Sequence, residues 1–153
     1  MRIFFIGCVE FSFHSLQQLV RMDSNIVGVA TKSISKFNSD HLDLSPFCLE
    51  NGIPCKSVED INSEKTIEWI KQLAPDVICV FGWSYLLKAE ILGVPKMGVI
   101  GFHPTLLPRN RGRHPLIWAL VLGLKQTGTT FFKMDEGADS GNILSQKVIS
   151  IED

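Results

Sequence analysis

Residues 77–81, with the sequence VICVF, form an unbroken apolar run that ends at Gly82. A run of this length and uniform hydrophobicity is typical of a strand that is buried on both faces of a parallel sheet. Similar runs are IFFI at residues 3–6 and IVGVA at residues 26–30. The chain is therefore expected to contain several buried strands, and such strands need helices on both sides of their sheet.

Amphipathic segments separate these apolar runs. Between residues 13 and 20, apolar side chains recur every three or four positions, which predicts a helix with one buried face. A second helix is predicted between the capping pair Asn62-Ser63 and Pro75, with its apolar positions up to Ala74 facing inward. The alternation of buried strands with amphipathic helices indicates a doubly wound α/β fold, with a mostly parallel sheet and helices on both faces.

The other elements follow from shorter patterns. Ser45-Pro46 predicts the start of a short helix and Asn51-Gly52 its end. Further strands are expected at residues 53–58, 99–102, 129–134 and 143–151, a helix at residues 116–124, and a polar loop at residues 31–43.

Composition excludes several classes of protein. The 153 residues are 45% hydrophobic and 20% charged, as in an ordinary globular protein, and a single domain is expected over residues 1–153. The net charge of −1 argues against a nucleic-acid or membrane-surface partner and for a small molecule. No apolar stretch is long enough to span a membrane.

The cysteines are predicted to be buried thiols of a cytoplasmic protein. The four residues, Cys8, Cys48, Cys55 and Cys79, have no CxxC spacing and no nearby histidine pattern that would hold zinc. No metal site is expected.

Three predicted strand ends are candidate ligand sites, because open parallel sheets bind ligands beyond the carboxyl ends of their strands. They lie at residues 7–11, 81–87 and 101–113. In the last of these, His103 ends a strand and Pro104 prevents the strand from continuing. An imidazole suits proton transfer near neutral pH, although a histidine bonded to a neighbouring carbonyl for structural reasons is the alternative.

An acidic segment with two glycines, residues 135–142, separates the last two predicted strands. Glycine permits backbone conformations that turn amides and carbonyls toward a ligand. An ordinary hairpin loop is the alternative interpretation.

Taken together, these motifs resemble the folate-dependent formyltransferases, which include glycinamide ribonucleotide, methionyl-tRNA and nucleotide-sugar N-formyltransferases. The resemblance covers the whole chain and is most specific from Gly82 to Gln146. It is carried by GFHPTLLP at residues 101–108, Arg111-Gly112, Trp118-Ala119, Gly123, Thr127-Gly128 and residues 135–143. Residues 7–12 and 110–116 look most like the bacterial sugar N-formyltransferase branch.

The resemblance implies a Rossmann-like fold and transfer of a formyl group from N10-formyltetrahydrofolate to a primary amine. The family's catalytic residues are an asparagine, a histidine and an aspartate, and His103 and Asp139 match the last two. The asparagine position is Gly101, which offers no side-chain donor for the formyl oxygen. Loss of one such donor typically lowers a rate by about 10²–10³.

The resemblance also implies two sets of binding residues. The folate would contact Phe81, Gly82, Trp83, Ser84, Tyr85, Leu86, Leu87, Asp135, Glu136, Gly137 and Ala138. The amine substrate, expected to be a nucleotide-linked amino sugar, would contact Gly7, Val9, Glu10, Phe11, Ser12, Arg109, Arg111 and Arg113. Guanidinium groups suit phosphate, although a solvated basic loop is the alternative for the three arginines.

Several alternatives stay open at this point. Gly101 could mark a catalytically impaired folate- or nucleotide-binding domain, and water could replace the amine in a formyl-folate hydrolase. A methionyl-tRNA formyltransferase-like activity is a further alternative, although no C-terminal tRNA-binding module is expected. By the resemblance, further helices are expected after Asp153, so the domain is expected to be shortened or minimal. A homodimer is left open as well.

Overall fold

The computed structural model describes residues 1–34 and 39–152. By its internal contacts the chain divides into two compact units, Met1–Val99 and Ile100–Asp153. The single catalytic domain expected over residues 1–153 stays a prediction. None of the helices within the described ranges has the length and hydrophobicity of a membrane span.

The first unit alternates strands with helices, as its hydrophobic periodicity predicts. Its elements are β1 (Arg2–Ile6), α1 (Glu10–Arg21), β2 (Asn25–Thr31), α2 (Ser45–Glu50), β3 (Cys55–Ser57), α3 (Glu64–Gln72), β4 (Val77–Val80) and α4 (Ala89–Leu92). The four strands lie in the order β3-β2-β1-β4, and each neighbouring pair is parallel. The predicted parallel α/β class is confirmed.

The core of this unit is centred on β1. Phe4, Phe5 and Ile6 are fully buried although successive side chains point to opposite faces of the sheet, so both faces are covered. The strand order reverses beside β1, because β2 and β3 extend to one side of it and β4 lies on the other. In open α/β sheets such a reversal opens a crevice at the carboxyl ends of the two strands, here β1 and β4.

Local differences from the predictions have simple causes. Ser63 caps α3 by accepting a hydrogen bond from the Thr66 amide at 3.3 Å, but the helix ends at Gln72. Ala74 is exposed with a φ of 42°, so it does not face inward as predicted. Helix α4 was not predicted, because its four residues are too few to show a helical period. Cys55 is only half-buried, so the expectation that all four cysteines are buried is wrong for it, because the edge strand β3 has one side uncovered. Residues 35–38 of the predicted loop lie outside the described residues.

The second unit is built on antiparallel pairs. Its elements are β5 (Val99–His103), α5 (Pro115–Val121), β6 (Gln126–Lys133) and β7 (Ile143–Ser150). Strand β6 pairs antiparallel with both β5 and β7. All eight residues of β7 are exposed, and α5 exposes apolar side chains, including Ile117, Trp118 and Leu120.

Candidate active site

His103 is the last residue of β5, and only 6% of it is exposed. Its Nε2 lies 3.0 Å from the main-chain oxygen of Asn110. Because a carbonyl oxygen only accepts hydrogen bonds, Nε2 must carry a proton, and in the neutral ring the lone pair then lies on Nδ1. Nδ1 is 3.5 Å from Asp139 Oδ1, which is within ion-pair distance but longer than a hydrogen bond.

Asp139 lies in the loop between β6 and β7 with a φ of 49°. Its Oδ2 accepts a hydrogen bond from the Gly112 amide at 2.8 Å, and its main-chain oxygen accepts one from Arg111 Nε at 3.0 Å. These bonds hold the carboxylate next to His103. Within the second unit, the structure thus brings together the histidine and the aspartate that sequence singled out.

The three arginines differ in their surroundings. Arg111 holds the Asp139 loop, which is a structural contact that the sequence did not predict. The main-chain oxygen of Arg109 accepts a hydrogen bond from Thr105 Oγ1 at 3.0 Å. Beside them is a cleft of about 220 Å³, lined by Asn110, Arg111, Arg113, Pro115, Trp118 and Leu122. The cleft combines two guanidinium groups with an aromatic ring, a combination suited to a phosphorylated ligand that has a flat or apolar part.

Gly101 is buried, and apolar atoms occupy the space next to it. A Cβ atom at this position would lie 2.8 Å from Phe132 Cζ and 2.8 Å from Met134 Cγ. Phe132 is the cross-strand neighbour of Gly101 on β6 and is only 2% exposed. The three heavy atoms nearest to that Cβ position all belong to these two apolar side chains. The asparagine position of the family therefore faces a phenyl ring in this chain.

In the first unit, the turn between β1 and α1 lies at the predicted crevice. The resemblance places substrate contacts in this turn, but four of its amides form internal hydrogen bonds. The pairs are Gly7 N to Ala30 O (3.1 Å), Cys8 N to Gly82 O (3.3 Å), Val9 N to Ser12 Oγ (3.2 Å) and Glu10 N to Asp40 O (3.0 Å). Val9 and Ser12 are buried, whereas Glu10 and Phe11 are exposed.

The predicted folate segment, residues 81–87, begins at the end of β4. Gly82 has a φ of 73°, and a Cβ there would lie 2.2 Å from Val9 Cγ2, so only glycine fits. Phe81 and Leu87 are buried, while Ser84, Tyr85 and Leu86 are exposed.

The indole of Trp83 tests whether this segment fits a folate. Its Nε1 is buried and has no hydrogen-bond partner among the described residues. Because an unpaired buried donor costs about 1–3 kcal/mol, it suits a ligand that brings an acceptor, as a pterin ring does. Lys32 Nζ lies 4.8 Å from the centroid of the Tyr85 ring and adds a positive charge beside the segment.

The other predicted folate segment, the exposed residues 135–138, is organised by Asp135. Its Oδ1 accepts hydrogen bonds from the Ser140 hydroxyl and from the Gly137 amide. These two bonds, the Ser140 bond first, hold the pKa of the Asp135 carboxyl below its ordinary value. The loop therefore presents a carboxylate at neutral pH. Within the described residues, no three His, Cys, Asp or Glu side chains could together hold a metal ion.

Sequence reasoning missed two positioning residues, Gln146 and Asn62. Gln146 holds the loop after His103, and Asn62 holds residues 86–88. Gln146 Nε2 donates to the main-chain oxygen of Leu107 at 2.9 Å and contacts its cross-strand neighbour Thr130 at 2.8 Å, which steadies the loop after His103. Asn62, expected only as part of a helix cap, donates from Nδ2 to Leu86 O at 2.9 Å and accepts from the Lys88 amide at 2.8 Å. The polarity of the two side chains was the available signal in the sequence. Their hydrogen-bond partners are far away in sequence, so no local pattern predicts these contacts.

Replacing Asn62 by alanine is expected to loosen residues 86–88. Two side-chain hydrogen bonds of about 1 kcal/mol each would be lost, so the Lys88 amide should exchange hydrogen about tenfold faster or more. Asn51→Ala is the matched control, because Asn51 also donates to a main-chain oxygen, that of Phe47, at 2.8 Å. Equal exchange at Lys88 in both variants would contradict a positioning role for Asn62.

Comparison with known proteins identifies the family. The formyl transferase family model matches residues 21–153. The methionyl-tRNA formyltransferase of Clostridioides difficile (strain 630) is 34% identical over 157 residues, which cover 100% of this chain and 51% of the relative. The methionyl-tRNA formyltransferase of Thermodesulfovibrio yellowstonii is 38% identical over 156 residues, which cover 99% of this chain and 50% of the relative. The chain thus spans about half the length of the curated relatives it matches.

Solved structures share the fold at low sequence identity. Phosphoribosylglycinamide formyltransferase from Bacillus halodurans matches with a TM-score of 0.84 and 20% identity over 99% of this chain and 81% of that one. A sugar 3N-formyl transferase, solved in the presence of dTDP and 5-N-formyl-THF, matches with a TM-score of 0.73 and 22% identity over 99% and 53%. The predicted Rossmann-like α/β fold is confirmed. Since the family model covers most of the sequence, this chain belongs to the formyl transferase family, whose formyl donor is N10-formyltetrahydrofolate.

Proposed function

We propose that this chain transfers a formyl group from N10-formyltetrahydrofolate to the primary amine of a nucleotide-linked amino sugar. The observation that carries the reaction type is the placement of His103 Nδ1 at 3.5 Å from the Asp139 carboxylate, in a chain of the formyl transferase family. When bound, the folate supplies an electrophilic formyl carbon. Trp83 and the exposed residues 84–86 would hold it at the end of β4.

His103 acts as the proton acceptor in this proposal. The hydrogen bond from Nε2 to Asn110 fixes the ring, so the amine proton passes to the lone pair on Nδ1. Asp139 then faces a positively charged imidazolium and stabilises it, while Gly112 and Arg111 keep the carboxylate in place. The same proton can return to the folate nitrogen as the leaving group departs.

The cleft beside Arg111 and Arg113 supports the substrate class. A diphosphate could be bound by the guanidinium groups while Trp118 and Leu122 contact an apolar or planar part of the substrate. The sugar 3N-formyl transferase solved with dTDP has the same fold, which favours this class by analogy.

Two other functions each have an observation in their favour. The relatives described above are methionyl-tRNA formyltransferases, which supports methionyl-tRNA as the amine. The Phe132 ring over Gly101 supports a folate- or nucleotide-binding domain with impaired catalysis. The cytoplasmic location and the homodimer stay predictions.

Release of tetrahydrofolate from N10-formyltetrahydrofolate tests the proposal directly. The assay compares dTDP- and UDP-linked amino sugars, glycinamide ribonucleotide, methionyl-tRNA and no amine. We expect release that depends on the amino sugars. Release with methionyl-tRNA alone would support tRNA formylation, and release without any amine would support hydrolysis. No release would support a domain with impaired catalysis. Each of these three outcomes would overturn the proposal.

In the same assay, Arg113→Gln should raise KM for the nucleotide-linked sugar about tenfold or more with little change in kcat. A hydrogen bond between a guanidinium and a phosphate is worth about 1.5–3 kcal/mol, and glutamine keeps the length of the side chain but not its charge. Arg21→Gln, at the exposed end of α1, is the matched control. Equal KM values for the two variants would show that the cleft does not bind the nucleotide-linked sugar.

A further inference from the structure

The loop that follows His103 is tied to strand β6 by a buried threonine. Thr130 of β6 is fully buried and is the cross-strand neighbour of His103. Its hydroxyl donates to the main-chain oxygen of Thr105 at 2.6 Å, and it accepts from the Leu107 amide at 3.3 Å and from Gln146 Nε2 at 2.8 Å. Because a hydroxyl has one proton and two lone pairs, these three bonds use all of its hydrogen-bonding capacity. The main chain at Thr105 is therefore held in one place.

The side chain of Thr105 holds the far end of the same loop. Thr105 is buried, and its Oγ1 donates to the main-chain oxygen of Arg109 at 3.0 Å. The Arg109 amide donates to the main-chain oxygen of Leu106 at 3.1 Å. Since a peptide group is planar, a hydrogen bond to the Arg109 oxygen orients the whole peptide that joins Arg109 to Asn110. The Thr105 hydroxyl thereby fixes the start of Asn110.

Asn110 is in turn the hydrogen-bond partner of the histidine. Its main-chain oxygen lies 3.0 Å from His103 Nε2. The position of this oxygen decides which tautomer the neutral ring adopts, because a protonated Nε2 donates to it whereas a lone pair on Nε2 would face the lone pairs of the oxygen. With the carbonyl in this place, the proton stays on Nε2 and the lone pair stays on Nδ1, which is 3.5 Å from Asp139 Oδ1.

We propose that Thr105 is a positioning residue for His103. Through the peptide between Arg109 and Asn110, its hydroxyl keeps the Asn110 carbonyl opposite Nε2 and so selects the tautomer whose Nδ1 can accept a proton. Without this bond, the Asn110 carbonyl can turn away, and the neutral ring can then carry its proton on either nitrogen. This role concerns the ring of the ligand-free protein, and only its effect on turnover rests on the proposed function.

The test compares Thr105→Val with the parent by nitrogen NMR of the histidine side chains at alkaline pH, where imidazole rings are neutral. Valine is close to threonine in size but has no hydroxyl, so the variant removes one hydrogen bond. The His103 signals are those that disappear in His103→Ala. We expect the parent ring to carry its proton on Nε2. In Thr105→Val we expect both tautomers, with the Nε2 proton exchanging with water about fivefold faster or more.

Two variants make this result specific. Thr105→Ser keeps the hydroxyl and should restore the parental tautomer. Thr66→Val is the matched control, because Thr66 is also buried and its Oγ1 donates to the main-chain oxygen of Asp60 at 3.1 Å. It should lower Tm and leave the His103 signals unchanged. An unchanged His103 ring in folded Thr105→Val, an equal change in Thr66→Val, or no restoration by Thr105→Ser would each overturn the proposal.

Turnover separates this inference from the proposed function. If the chain transfers formyl groups, Thr105→Val should lower kcat in proportion to the share of His103 rings that NMR shows with the proton on Nδ1, because those rings cannot accept the amine proton there. KM should change little, since no substrate contact is removed. A parent without turnover would contradict the proposed function, while the NMR comparison would still decide the role of Thr105.

Discussion

His103→Ala is expected to lower the rate of formyl transfer by about 10²–10⁴, the usual effect of losing a general acid–base group. In the proposed reaction, Nδ1 is the atom that accepts the amine proton, and alanine has no group that can replace it. Substrate binding depends on other residues, so KM should change much less than kcat. The measurement is tetrahydrofolate release at saturating formyl donor and amine.

Two further variants make this result specific. His14→Ala, on the exposed face of α1, is the control for loss of an imidazole and should keep full activity. Asp139→Asn keeps an oxygen that can accept from the Gly112 amide but removes the charge beside Nδ1, so its activity should fall between that of the parent and that of His103→Ala. A folded His103→Ala protein with parental turnover would exclude His103 from the chemistry.

Gly101→Asn is expected to destabilise the protein by about 1–3 kcal/mol, the typical cost of overpacking, although it restores the residue type of the family. Its Cβ would lie 2.8 Å from both Phe132 Cζ and Met134 Cγ, and the Phe132 ring is almost fully buried. In a protein of this length, each kcal/mol lowers Tm by about 2–4 °C. We therefore expect a lower Tm and no gain of activity.

Two alanine variants distinguish steric overlap at position 101 from the general effect of replacing a glycine. They are Gly101→Ala and Gly93→Ala. Gly101→Ala adds only the overlapping Cβ and should already lower Tm. At Gly93, a Cβ would lie 3.4 Å from its nearest neighbour, an ordinary contact, so Gly93→Ala should change Tm little. If Gly101→Asn instead had the parental Tm and a higher turnover, the Phe132 ring would have to be able to move aside.

The predicted elements agree with the structure because each follows from a local pattern. Buried strands such as β4 appear as continuous apolar runs, and α3 shows its cap and its helical period in ten consecutive residues. The boundary at Ala74 was wrong because a left-handed residue there ends the helix earlier. His103 was recognisable as a candidate site residue because a proline follows it directly at a strand end.

The amino-acid sequence by itself determined the α/β class, the family and the candidates His103 and Asp139, since strand length, helical period and motif spacing are properties of short segments. The tertiary structure alone decided what each residue contacts. It placed Phe132 over Gly101 and engaged Arg111 with the Asp139 loop. Those contacts depend on strand register and on how the chain packs, and they join residues that no local pattern connects.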